Sequence, residues 1–207
     1  VNIEVIGAGR TDAGVHAKQM YAHFDCDLDF EIQNLIFRAN KFLDNDIVIH
    51  DVFKAKDEAN SRFDAISRTY QYHIIIKKDP FRNNAYLFHK ELDLKAMNQA
   101  CQHILGVHDF TSFSKVNTQT YTNTCEVYYA KWKIFKNELI FTIEANRFLR
   151  NMVRAIVGTM IDVGVGKLLS EDLVKIIDAK DRCKAGTSVP AKGLFLYKVK
   201  YTDNLKI

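Results

Sequence analysis

Between residues 149 and 161 the apolar side chains Leu149, Met152, Val153, Ile156, Val157, Met160 and Ile161 recur at intervals of three and four. That spacing predicts an amphipathic helix whose unbroken apolar stripe has to be buried against another element. Arg147, Arg150 and Arg154 recur at i, i+3 and i+7, which puts them together on the adjoining face of the same helix. Just upstream, residues 124–135 and 139–145 read as two strands joined by the short turn Lys136-Asn137-Glu138, a hairpin that supplies a sheet for the helix to cover.

The flanking pattern extends this unit. Residues 69–76 alternate, with Tyr70, Tyr72, Ile74 and Ile76 on one face. Residues 80–90 read as irregular. Leu94, Met97, Cys101, Ile104 and Leu105 define a helix with Asp93 as N-cap and Gly106 as its stop. Ser170 caps a shorter helix carrying Leu173, Ile176 and Ile177. Residues 193–201 form a closing strand with Phe195, Tyr197, Val199 and Tyr201 inward. From Thr69 onward the order is βαββαβ with one inserted helix, the ferredoxin-like unit.

The first 66 residues read as ββαβ. The strands are 1–6, a long alternating stretch over 19–30, and 47–54, and the helix carries Ile32, Leu35, Ile36, Ala39 and Leu43 on one stripe. This is the same unit without its first strand and helix, and the chain does not begin with Met. About one strand and one helix are therefore expected to be missing from the N-terminus. The expected fold is α+β, a single domain over 1–207. Two ferredoxin-like halves (1–66, incomplete, and 67–207) share one central antiparallel sheet with helices on one side.

Several function classes drop out on composition. Cys26, Cys101, Cys125 and Cys183 are scattered without metal-type or disulfide-framework spacing, which suits reduced thiols in the cytoplasm. No apolar run approaches the roughly 20 residues of a membrane span, and no signal peptide is evident. The histidines show no metal spacing. Asp25-Cys26-Asp27-Leu28-Asp29 lacks the glycine and glutamate of a calcium loop and reads as a solvated strand face. A net charge of +4 fits an anionic partner such as nucleic acid.

The loop Gly7-Ala-Gly-Arg-Thr-Asp-Ala-Gly-Val-His-Ala17 displays one carboxylate, Asp12, two residues after Arg10. Gly7-x-Gly9-x-x-Asp12 starts like a dinucleotide fingerprint, but Asp stands where Gly or Ala is needed, and a strand rather than a helix follows. An aspartate in such a loop ordinarily turns the backbone. It can also be a catalytic group carried on a loop. Residue types alone favour the turn.

The ordered string Gly-Arg-Thr-Asp-Ala-Gly-Val-His resembles the signature of the tRNA pseudouridine synthase A family. So do Ser67-Arg-Thr-Tyr-Gln-Tyr72, Leu105-Gly-Val-His-Asp-Phe-Thr-Ser-Phe113, the helix Asn146-Arg-Phe-Leu-Arg-Asn-Met-Val-Arg-Ala-Ile-Val-Gly158, and the closing strand from Ala185 to Tyr201, all in the family's order. The family's opening Asp-Gly-Thr, Trp-Gln and Val-Gln-Gly segments have no counterpart here.

The resemblance implies isomerisation of uridine to pseudouridine at positions 38–40 of the tRNA anticodon stem-loop. It also implies no cofactor or metal, a cytoplasmic location and a homodimer that clamps tRNA. On the matching positions it implies Asp12 as the catalytic carboxylate, acting as nucleophile or base, with Arg154 orienting it. Tyr70 becomes the contact to the extruded uracil, and Arg10 a side chain that fills the space the base leaves. Arg147 and Arg150 are expected on phosphate or solvent, Tyr72 in the sheet core, and Asp109 and Phe110 in structural roles. The competing expectations are a non-catalytic RNA-binding protein on the same fold, a truncated inactive synthase and, more distantly, a dehydrogenase.

Overall fold

The computed structural model describes residues 2–27, 29–115, 121–202 and 205. In chain order the elements are β1 (Ile6–Gly7), β2 (His16–Ala17), β3 (Ala22–His23), α1 (Ile32–Phe42), β4 (Ser67–Ile75), β5 (Tyr86–Leu87), α2 (Leu94–Gln102), β6 (Gly106–Asp109), β7 (Thr124–Phe135), β8 (Glu138–Ala145), α3 (Met152–Gly164), α4 (Asp172–Ala179) and β9 (Leu194–Lys200). The protein is α+β. Its central sheet runs β2-β9-β4-β8-β7-β6, with β5 paired to β4. Around β4 the pairings to β8 and β9 are antiparallel, whereas β2 on β9 and β5 on β4 are parallel.

The long periodic segments of the second half fold as their spacing predicts, because each has somewhere to put its apolar face. Tyr72 and Ile74 of β4, Trp132 of β7, and Phe141 and Ile143 of β8 form one buried cluster with Met97, Ala100 and Cys101 of α2 and the stripe of α3. The large apolar side chains among them each contribute about 1.5–3 kcal/mol on burial. Asn98 on α2 closes the otherwise open edge of β7: its side chain donates to the Trp132 carbonyl at 3.2 Å and accepts the Trp132 N–H at 2.9 Å. Beneath it the indole N–H points at the Met160 sulfur, 3.2 Å away.

Asp93 joins two helices. Its carboxylate accepts the Ala96 N–H at 3.0 Å, capping α2, while its own N–H donates to the Gly164 carbonyl at the end of α3 at 2.8 Å. Asp93→Ala should keep the second bond and lose the first, lowering stability by about 1 kcal/mol. A fall in the urea midpoint at unchanged slope would register this; an unaltered midpoint would mean that the cap is idle.

Differences from the sequence pattern have identifiable structural causes. Tyr197 was expected inward but is exposed, because the β4–β9 register shifts between Thr69 and Tyr70. Lys198 opposes Thr69 and Leu196 opposes Tyr70, leaving Tyr197 as the extra residue. The irregular stretch 80–90 contains β5, and β6 begins at Gly106, beyond the end of α2 at Gln102. The helix α4 starts after Glu171, with no side-chain cap from Ser170. The helix α3 begins only at Met152, after the left-handed Asn151 (φ 68°), so Arg147 and Arg150 precede it instead of sharing its face.

The first half departs furthest. Of the strands expected over 1–6 and 19–30, only β1 and β3 form, paired with each other, and Val1 and Leu28 lie outside the described residues. Residues 47–54 form no strand: the Ile49 N–H and carbonyl are both taken by the side chain of Asn40 on α1, at 2.7 and 2.8 Å. None of the α1 side chains is buried. Alternation marks which residues suit a sheet, but a strand also needs a partner backbone.

Candidate active site

The Asp12 loop is held at its flanks and at its turn. At its start Ala8 is buried, and its N–H donates to the Tyr21 carbonyl at 2.8 Å. At its end β2 pairs with β9, His16 opposite Phe195, and the two rings stack with centroids 4.8 Å apart. Between them the Asp12 carbonyl accepts the Val15 N–H at 3.1 Å, closing a turn in which Gly14 adopts φ +80°. A side chain at Gly14 would be strained there. The turn leaves the Asp12 carboxylate free to face α3.

Arg154, in the first turn of α3, meets it. The guanidinium donates to Asp12 Oδ2 at 3.0 Å through one terminal nitrogen and to the Val189 carbonyl at 2.7 Å through Nε. In return the Val189 N–H donates to the Arg154 carbonyl at 3.3 Å. Arg154 is thus fixed from both sides, and a charge-assisted bond from a fixed fork sets the direction of the carboxylate. Arg150 approaches the other carboxylate oxygen, with Nε 3.7 Å from Oδ1, beyond hydrogen-bond distance. The expectation that Arg150 faces phosphate or solvent omitted this contact. Its signal was in the sequence, four residues before Arg154.

Tyr70 lies on β4, packed edge-on against Phe148 at 5.1 Å. Burial pushes its phenol up to about 12; the Arg68 charge opposes that shift and the Asp12 charge adds to it. At neutral pH the hydroxyl keeps its proton, so it can donate a hydrogen bond but has little anionic form with which to act as a base. Arg10 is exposed and, among the described residues, makes no hydrogen bond or ion pair. Of the four expected site residues, Asp12 and Arg154 are in direct contact, Tyr70 is in electrostatic reach, and Arg10 is not drawn to the others. Tyr72 is fully buried, its hydroxyl donating to the Pro190 carbonyl at 2.8 Å.

Arg68 was not singled out by the sequence, although it lies in the quoted Ser67–Tyr72 string. Its guanidinium donates to the carbonyls of Ala65, Asn146, Ala8 and Arg62 at 3.2, 3.1, 3.2 and 2.6 Å. One side chain so links the strand of Tyr70, the start of the Asp12 loop and the approach to α3. Burial lowers its pKa from the ordinary arginine value.

Beside Asp12 opens a cavity of about 480 Å³, lined by Asp12, Lys115, Arg150, Asn151, Arg154 and Arg182. Its size falls within the range of ligand pockets, and its lining carries four cations to one carboxylate. Lys115 and Arg182 were likewise missed, being basic residues in segments with no helical or strand period. Among the described residues no three His, Cys, Asp or Glu side chains come together as a metal site, and no helix is long and apolar enough to cross a membrane. Asp109, for which a structural role is expected, makes local contacts. Its carboxylate accepts the Thr111 N–H at 3.0 Å and lies 3.0 Å from the Lys180 ammonium.

Comparison with known proteins gives one consistent result. A family model described as tRNA pseudouridine synthase matches residues 100–202. The tRNA pseudouridine synthase A of Parabacteroides distasonis is 49% identical over 207 residues, covering 98% of this chain and 81% of that protein. The tRNA pseudouridine synthase A of Caldicellulosiruptor bescii is 40% identical, covering 96% of this chain and 83% of that protein. For the tRNA pseudouridine synthase A of Bacillus subtilis the identity is 36%, covering 98% and 83% respectively.

Proposed function

Since the chain belongs to the tRNA pseudouridine synthase family, we propose that it isomerises uridine to pseudouridine in tRNA with Asp12 as the catalytic carboxylate. The observation that carries the assignment of Asp12 is its 3.0 Å bond to an arginine that is itself anchored, on the wall of a cavity large enough for a nucleotide.

The reaction breaks the N1–C1′ glycosidic bond, forms a C5–C1′ bond, loses the C5 proton and leaves N1 protonated. Atoms and electrons balance without a redox partner. Asp12 supplies the nucleophile or base at the reacting nucleoside, and Arg154 keeps its oxygens aimed. Tyr70, protonated at neutral pH, offers an aromatic edge and a donor to the uracil. The base of a paired nucleotide has to leave its stack to reach Asp12, and the exposed Arg10 is free to occupy the vacated space. Uridines 38–40 of the anticodon stem-loop, a homodimer and a cytoplasmic setting complete the proposal.

A catalyst with this chemistry releases one tritium per turnover from tRNA labelled at C5 of uridine. The expected result is release in step with pseudouridine formation, confined to the anticodon stem-loop. Tight tRNA binding with no release would favour a non-catalytic RNA-binding protein instead.

A further inference from the structure

The cavity beside Asp12 has more positive charge than its carboxylate can use. Asp12 is taken by Arg154 at 3.0 Å. Arg150 stays 3.7 Å from it and is 60% exposed, with no hydrogen bond from its side chain among the described residues. The Lys115 ammonium likewise meets no carboxylate among the described residues. Among the described residues Arg182 donates to neutral acceptors: the carbonyls of Ala185 and Gly186 at 3.2 and 3.1 Å and the Ser188 hydroxyl at 2.9 Å.

This convergence is built by specific contacts. Lys115 N–H donates to the Arg150 carbonyl at 3.0 Å, which lays the end of the 111–115 segment along the approach to α3. The Asp181 N–H donates to the Ser112 hydroxyl at 2.9 Å, tying the segment of Arg182 to the same place. Asn151 completes the frame by donating to Ser188 at 2.6 Å. Cations held together on one concave surface repel each other, and an anion in their midst relieves that cost. Arg182 does structural work through its carbonyl contacts. Among the described residues the Lys115 ammonium has no ion-pair partner and Arg150 has only its 3.7 Å approach to Asp12, so the cavity they line together suits an anionic ligand.

We infer that Lys115, Arg150 and Arg182 form a phosphate site that holds the phosphodiester adjoining the target uridine while its ribose faces Asp12. The inference rests on the function proposed above. Phosphodiesters are the anions RNA carries, and a guanidinium fork with an ammonium suits their tetrahedral oxygens. Inorganic phosphate shares that chemistry, so the test has to separate the two sources.

Tritium release would be followed for wild type, Lys115→Gln and Lys115→Arg across salt concentrations, with and without inorganic phosphate. Lys115→Gln should raise KM for tRNA about 5-fold or more, with a smaller effect on kcat, and should lower the salt slope of binding by about 1. Lys115→Arg should restore both. Inorganic phosphate should compete with tRNA in the wild type and do so less well in Lys115→Gln. Unchanged KM and slope in an active Lys115→Gln enzyme would overturn the inference. Stimulation of wild type by phosphate would assign the site to the free ion and overturn it too. An inactive wild type would instead overturn the functional reading on which it rests.

Discussion

Asp12→Asn should reduce pseudouridine formation by roughly 10³-fold or more, equivalent to about 4 kcal/mol of barrier, with the protein still folded and still binding tRNA. The substitution keeps the shape and one oxygen, so Arg154 can still donate to position 12. It removes the charge, and with it the nucleophile or base. Folding should survive with a modest loss of stability, about 1–3 kcal/mol, because the pair is largely buried, with 24% and 21% of the two side chains exposed, but the amide oxygen at position 12 can still accept from Arg154. Binding should hold within a few-fold or tighten, since the four cations around the cavity lose the one carboxylate that lines it among the described residues. Filter binding and tritium release on the same preparations separate the effects. Normal turnover by the variant would remove Asp12 from the chemistry, and a parallel loss of binding would make it a structural residue of the loop.

The periodic elements were legible because they are long and two-sided: β7 runs over the residues read as a strand, Thr124–Phe135, and α2, β4, β8 and β9 follow closely, whereas α3 starts later than its pattern indicated. What was not legible depends on partners remote in sequence. No local pattern reveals the register shift opposite Thr69 and Tyr70 that turns Tyr197 outward, or the side chain of Asn40 that occupies Ile49 in place of a strand. The site divides in the same way. Asp12 and Arg154, 142 residues apart, were linked through ordered motifs, and their contact follows that link. Arg150 was assigned by helical spacing to a helix that begins after it. Lys115 and Arg182 are two among 29 lysines and arginines, and hydrogen bonds between distant segments, Lys115 N–H to the Arg150 carbonyl and Asp181 N–H to the Ser112 hydroxyl, bring them to one cavity.

Gly158→Ala should be strongly destabilising, although local propensity predicts the opposite sign. Within a helix, exchanging Gly for Ala is ordinarily favourable by about 1 kcal/mol. At Gly158, a Cβ would stand 1.9 Å from the Thr187 carbonyl oxygen and 2.9 Å from its carbon. Both are backbone atoms and cannot swing aside, so α3 and the 185–189 segment have to part. That segment is anchored by the Gly186 N–H on Thr159 at 2.8 Å and by the two bonds between Val189 and Arg154 at 2.7 and 3.3 Å. Overpacking costs about 1–3 kcal/mol and each lost hydrogen bond about 1 kcal/mol, which together outweigh the propensity gain. A net loss of about 2–4 kcal/mol should lower Tm by roughly 10 °C in a chain of this size. The same displacement takes away the carbonyl that holds Arg154 at Nε, so folded Gly158→Ala protein, assayed well below its Tm, should lose kcat more than tRNA affinity. A variant as stable as wild type would show that the segment yields without cost. A destabilised variant with full kcat would show that Val189 does not aim Arg154 at Asp12.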